Sequence, residues 1–216
     1  MKTKLEQVLP QDIEARSFEI ITEELGDKHI EESYAPIIKR VIHTTADFDY
    51  ADNLVFSPGV REIALNALRA GTCIVTDTQM AKAGINKKAL KELGIEVYNF
   101  IGDPDVAELA KANGTTRSVA CIDKAAALHR PVIFVVGNAP TALVRIYELV
   151  QEGALKPELI IGTPVGFVNV VQSKEMILTL SVPHIIAKGR KGGSNVAAAI
   201  VNALLYMIYE RENDRN

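Results

Sequence analysis

Pro131-Val-Ile-Phe-Val-Val-Gly-Asn-Ala-Pro-Thr141 decides the fold. Val132–Val136 is an unbroken apolar run, four of its residues β-branched and one aromatic, which suits a strand buried on both faces. Gly137-Asn-Ala-Pro140 is turn chemistry, and a helical pattern follows. Similar runs occur at Cys73–Val75, Ile95–Tyr98, Leu159–Ile161 and His184–Ala187, each bounded by Gly, Pro, Asn or Asp with helical patterns between. That alternation is the mark of βαβ units. The expectation is an α/β fold with a three-layer α/β/α arrangement. Its sheet would be five-stranded, mostly parallel and doubly wound, with right-handed crossovers and strand order 2-1-3-4-5. Ahead of it lies an N-terminal helical segment. Ile13, Phe18, Ile20, Ile21 and Leu25 keep helical spacing up to Gly26, a second helix spans about Ile30 to Ile42, and a third runs from Val60 to Ala70.

Length and composition fit a single domain over residues 1–216, able to bury a core without disulfides. The net charge of −3 provides no basic field for nucleic acid, and aromatics at 6% without Trp argue against a base-stacking platform. Cys73 and Cys121 form no CxxC pair, and Cys73 reads as a small buried hydrophobe. With no signal-peptide pattern at the N-terminus, a reduced cytoplasm is the expected setting. The longest apolar stretch, Val196 to Ile208, is too short to span a bilayer, so no membrane partner is expected.

Ligands of doubly wound sheets bind outside the carboxyl ends of the strands. Four loops fall there: Thr76-Asp-Thr-Gln-Met80, Gly137-Asn-Ala-Pro-Thr141, Gly162-Thr-Pro-Val-Gly166 and Lys188-Gly-Arg-Lys-Gly-Gly-Ser-Asn195. All are rich in small, hydroxyl and amide side chains. Thr76, Asp77, Asn138 and Thr163 could equally be helix caps, but four such loops on one edge favour a large polar ligand. The last loop sets Lys188, Arg190 and Lys191 beside glycines ahead of a long helix, a ready anion site without the Walker A order. Lys188, Gly189, Arg190, Gly192 and Ser194 are therefore candidate ligand residues. Arg16, Arg40 and Arg117 are further cations beside turns or caps, suited to bidentate carboxylate contacts.

Of the four histidines, His29 reads as surface, His129 as a helix-end residue and His184 as a satisfied strand residue. His43 differs. In Arg40-Val-Ile-His-Thr-Thr-Ala-Asp-Phe-Asp-Tyr-Ala-Asp52 it is flanked by Thr44 and Thr45, with Asp47, Asp49 and Asp52 close enough to fix a tautomer or raise its pKa. No histidine pair has metal-ligand spacing, so no protein-bound metal is expected.

Glu14-Ala-Arg-Ser-Phe18, Val41-Ile-His-Thr-Thr-Ala-Asp-Phe48, Gly137-Asn-Ala-Pro-Thr-Ala-Leu143, Gly162-Thr-Pro-Val-Gly-Phe-Val168 and Gly189-Arg-Lys-Gly-Gly-Ser194 together resemble the precorrin-8X methylmutase family, also known as cobalt-precorrin-8 methylmutase. The likeness runs from about Pro10 to about Met207. It implies an isomerase of cobalamin biosynthesis that moves a methyl group from C11 to C12 of a corrinoid by a 1,5-sigmatropic shift, without a methyl donor or other cofactor. Any cobalt would be carried by the substrate. It implies His43 as the acid/base and a homodimer whose subunits both contribute to the substrate pockets. Arg16, Ser17, Arg40, Thr44, Thr45, Thr76, Asp77, Arg117, Asn138, Lys188, Gly189, Arg190, Gly192 and Ser194 are the expected substrate contacts. A nucleotide or S-adenosylmethionine enzyme and a tetrapyrrole carrier are the competing readings. The first lacks a GxGxxG fingerprint.

Overall fold

The structure, a computed structural model, describes residues 6–213. A six-stranded sheet runs β1 (Leu54–Phe56), β6 (His184–Ala187), β5 (Leu159–Gly162), β4 (Val132–Val136), β2 (Cys73–Thr76), β3 (Val97–Tyr98) from edge to edge. The five expected strands are β2 to β6, and their lateral order is the expected one. Four pairings are parallel. The unforeseen strand is β1, which pairs antiparallel with β6, Leu54 opposite Ala187 and Phe56 opposite Ile185. Three apolar residues after Asn53 are too few to register as a strand in sequence; the neighbouring ladder of β6 supplies the order. β3 is also shorter than the expected Ile95–Tyr98.

Alternate residues of β4 serve opposite cores. Ile133 and Val135 join one cluster, while Val132, Phe134 and Val136 join the other. The first is roofed by α1 (Ile13–Leu25), α2 (Ala35–Thr45), α4 (Val60–Arg69) and α11 (Ser194–Asn213), the second by α7 (Pro104–Ala112), α8 (Arg117–Ala126), α9 (Pro140–Gln151) and α10 (Val170–Leu178). Three short helices, α3 (Tyr50–Asn53), α5 (Gln79–Gly84) and α6 (Lys87–Glu92), fill the connections. α1 and α4 match their expected spans. α2 starts later than expected, at Ala35, because Pro36 suits only a first turn, and ends later, at Thr45, so His43 sits inside the last turn rather than past it.

The antiparallel strand has a consequence for function. β1 enters the sheet beside the carboxyl end of β6, and Lys188 N–H donates to the Asn53 carbonyl at 2.7 Å. The chain leading into β1, residues 46–53, is therefore delivered to the edge where the four loops emerge. No helix among the described residues is long and apolar enough to cross a membrane.

Candidate active site

The switch in strand order lies between β2 and β4, where a doubly wound sheet ordinarily opens a ligand crevice. Here the crevice is filled. Asp77, buried at the end of β2, accepts the backbone N–H groups of Gly137 (2.8 Å), Asn138 (2.8 Å) and Ala139 (2.7 Å). Burial pushes its carboxyl above the ordinary value, and those N–H bonds pull it part of the way back. Gly137 admits the next layer, since a Cβ there would lie 2.6 Å from the Ser194 Cα. Ser194 in turn shares a hydrogen bond with Thr78, Oγ to Oγ1 2.8 Å.

Thr76 and Asp77 were expected to face the ligand; their side chains are instead buried and taken up by the protein. Thr76 Oγ1 lies 3.1 Å from the Thr78 carbonyl and 3.3 Å from that of Tyr98, and Asn99 Nδ2 donates to the Thr76 carbonyl at 2.7 Å. The helix cap of this loop is Thr78, whose Oγ1 accepts from Ala81 N–H at 3.1 Å. Asn138 is exposed beside the Asp77 anchor. Arg117 is exposed on α8, in the layer opposite α2, and its helix is capped by Thr116, whose hydroxyl accepts from Val119 N–H.

The open groove lies on the α1/α2/α11 layer. His43 is exposed there, its imidazole stacked on Phe18 with centroids 5.3 Å apart and planes 13° from parallel. Among the described residues no hydrogen bond or ion pair occupies its ring nitrogens. Among the described residues none of the three aspartates hydrogen-bonds or forms an ion pair with it. Asp47 and Asp49 each bind the Lys191 ammonium at 2.6 Å, and Asp52 binds Lys28. The Lys191 contact holds the Asp47 carboxyl below its ordinary pKa, and both aspartates raise that of Lys191. Their role is thus to tie the turn after α2 to the glycine loop.

Thr44 and Thr45 donate back to the carbonyls of Arg40 (2.9 Å) and Val41 (2.8 Å), as hydroxyls near a helix end often do. Ser17 bonds the Ile13 carbonyl at 2.8 Å and lines the depression beside His43 with Ile20, Ala46 and Phe48. On the other side of His43 the groove is walled by Arg40, Thr44, Asn195, Ala199 and Tyr206. The Arg40 guanidinium lies between the rings of Phe18 (4.7 Å) and Tyr206 (4.9 Å) and binds Glu14 at 2.7 Å. Arg16, expected in the site, is engaged by Glu6, Glu19 and Glu23.

Asn195 closes the last of the four loops, whereas Tyr206 lies within an apolar helix where composition hides it; with Asn202 the two recur at helical spacing on one face of α11. Asn202 holds the α5–α6 turn by accepting from Asn86 N–H (2.8 Å) and donating to the Gly84 carbonyl (2.9 Å).

The loop of residues 188–193 borders this groove through Asn195 and the Lys191 tie. Gly192 is required by close approach: a Cβ there would lie 2.1 Å from the Thr163 carbonyl oxygen. Gly193 N–H donates to that same oxygen at 2.8 Å. Lys188 and Arg190 are exposed and meet no carboxylate among the described residues; the Arg190 guanidinium lies 5.4 Å from the Phe167 ring. Phe167 and Val168 are 80% and 79% exposed, an apolar surface set next to the Arg190 guanidinium. Among the described residues no group of three or more His, Cys, Asp and Glu is placed to hold a metal ion. A histidine with open nitrogens, an apolar shelf and cations without counter-ions can hold a flat, carboxylated molecule and exchange a proton with it.

The model of the precorrin-8X methylmutase family matches residues 12–207. The chain belongs to that family. The match spans both walls of the groove, from α1 to α11. The chain is 45% identical to a cobalt-precorrin-8 methylmutase of Priestia megaterium over 91% of its own length and 88% of the relative's. With the protein of that name from Salmonella typhimurium it shares 47% identity, covering 93% of this chain and 97% of the other. The crystal structure of a Thermus thermophilus precorrin-8X methylmutase superposes with a TM-score of 0.85 at 37% identity, over 93% of this chain and 98% of that one. As a methylmutase family member the protein is an enzyme, an isomerase of cobalamin biosynthesis.

Proposed function

We propose that this methylmutase moves a methyl group from C11 to C12 of precorrin-8X or cobalt-precorrin-8 by an intramolecular 1,5-sigmatropic shift, giving hydrogenobyrinate or cobyrinate, with His43 as acid/base. The observation that carries the proposal is His43 itself: exposed in a groove, fixed by a ring stack, and with no protein partner on either nitrogen among the described residues. The names of the chain's relatives supply the substrate.

A corrinoid is a large, mostly apolar ring edged by carboxylates. Phe18 and Phe167 offer apolar faces, and Lys188 and Arg190 offer cations for the rim. The methyl group breaks its bond to C11 as it forms one to C12, so no donor is consumed. His43 gives a proton or hydrogen bond to the nitrogen of ring C while the bonding electrons shift, and takes it back from the product. The atom count is unchanged, and neither S-adenosylmethionine nor a resident cofactor takes part; cobalt, where present, arrives inside the substrate. General acid–base help of this sort contributes about 10²–10⁴-fold, and orientation of the ring supplies the rest. The working enzyme is a cytoplasmic homodimer with the site near the subunit interface.

Precorrin-8X and cobalt-precorrin-8 should each be incubated with the purified protein, without S-adenosylmethionine, and followed by visible absorption. Conversion of either supports the assignment. A failure with both, or a strict need for S-adenosylmethionine, contradicts it.

A further inference from the structure

Lys174 lies on α10, in the layer opposite His43, and is among the largest fully buried side chains of the protein at 1% exposed. Its ammonium meets no carboxylate among the described residues. It donates instead to the carbonyl oxygens of Gly189 (2.8 Å) and Lys191 (2.9 Å), the two residues that flank Arg190. The carbonyl between them is also taken, by Gly166 N–H at 3.2 Å. Three successive carbonyls of the loop are thus turned to protein donors, while the side chains of Lys188 and Arg190 stand in solvent.

Burying an ammonium without a counter-ion is costly, and desolvation lowers its pKa to about 8. A methionine or leucine would fill the same space without that cost. What it would not do is bridge two carbonyls from beneath the loop. Above the loop, the Lys191 ammonium fastens the same segment to Asp47 and Asp49, on the turn that follows His43. The loop is therefore clamped on both sides, and the side chain left between the two Lys174 contacts is that of Arg190.

We infer that Lys174 is the positioning residue of the cationic loop: by holding the Gly189 and Lys191 carbonyls it sets Arg190 and Lys188 where the substrate's carboxylates meet them. The inference rests on the proposed reading of the groove as a corrinoid site.

The test is a double-mutant cycle on the full-length protein, read as the affinity for cobyrinate by visible absorption titration. Arg190→Ala should weaken binding about tenfold or more, the scale of one charge-assisted hydrogen bond. Lys174→Met should weaken it by a similar factor and flatten its dependence on salt. The double variant should bind no worse than Lys174→Met alone, within about twofold, because a misplaced arginine has nothing left to lose. A purely structural lysine would leave Arg190→Ala costing the same factor in both backgrounds, and that result overturns the inference. If Arg190→Ala costs nothing in the wild-type background, the corrinoid reading of the loop fails first and the inference with it. Should Lys174→Met not fold, Lys174→Gln, whose amide keeps the pocket polar but falls short of both carbonyls, enters the same cycle with the same criteria.

Discussion

The imidazole of His43 and the phenyl ring of Phe18 lie 5.3 Å apart, centroid to centroid, and 13° from parallel. One is on α2 and the other on α1, so the packing of two helices sets the angle of the imidazole. The Arg40 guanidinium covers the same phenyl ring, 4.7 Å from its centroid. Phe18→Ala removes the shelf from both. A ring stack contributes about 0.5–1.5 kcal/mol, so turnover should fall roughly twofold to tenfold, with Phe18→Tyr close to wild type. Steady-state rates for the two variants check this; an alanine variant as active as the tyrosine one would contradict it.

The three cations of the glycine loop should not behave alike. Lys188 and Arg190 lack a carboxylate partner among the described residues, whereas Lys191 is bound to Asp47 and Asp49. Neutralising Lys188 or Arg190 should weaken substrate affinity, more at low salt than at high salt. Lys191→Ala should act mainly on turnover, by loosening the turn behind His43, and leave the salt dependence of binding close to wild type. Equal salt slopes for all three variants would contradict the division.

Asp77→Asn should destabilise the fold without touching the groove. The amide has one acceptor oxygen where the carboxylate serves three N–H donors, so at least one donor is left facing an NH₂ group. Leaving a buried donor unmade costs about 1–3 kcal/mol, which is a fall of several degrees in Tm for a chain of this length. Thermal unfolding measures it, and an unchanged Tm would show that the β2–β4 gap is not closed by this carboxylate.

Lys174 gives the stability a defined pH dependence. Burial lowers its pKa from 10.5 to about 8. Between those values the unfolded chain holds a proton that the folded chain has released, so stability rises with pH across that window. Below about pH 8 both states are charged and the full cost of burial is present, at most about 3 kcal/mol. A neutral amine keeps two N–H donors, so both carbonyl bonds survive its deprotonation. Urea unfolding of the wild type, compared with Lys174→Met from about pH 8 to about pH 10.5, should show the difference in stability shift toward the wild type as pH rises. Parallel curves would contradict the assignment.

The parallel core was legible because its signals are local. Each of β2, β4, β5 and β6 is a short apolar run closed by turn residues, and βα alternation with right-handed crossovers leaves few orders to choose from. What sequence did not reveal depends on contacts between distant segments. β1 is three residues long and exists because β6 lies beside it. Asp77 looked like a ligand residue because loop composition cannot distinguish a carboxylate facing a substrate from one binding three N–H groups 60 or more residues away. Lys174, in Gln-Ser-Lys-Glu, reads as a solvated helix position, and nothing local signals that Gly189 and Lys191 will bring their carbonyls to it. His43 stood out in the sequence as a histidine unlike the others and lies exposed on the groove, but the aspartates near it in sequence bind Lys191 and Lys28 instead.

His43 carries the central claim, and its substitution tests it most directly. Purified His43→Ala should fold, show the wild-type circular dichroism spectrum and bind cobyrinate with near wild-type affinity. Its single-turnover rate on the precorrin-8 substrate should fall by about 10²–10⁴-fold. A His43→Ala protein that isomerises substrate at the wild-type rate would contradict the account.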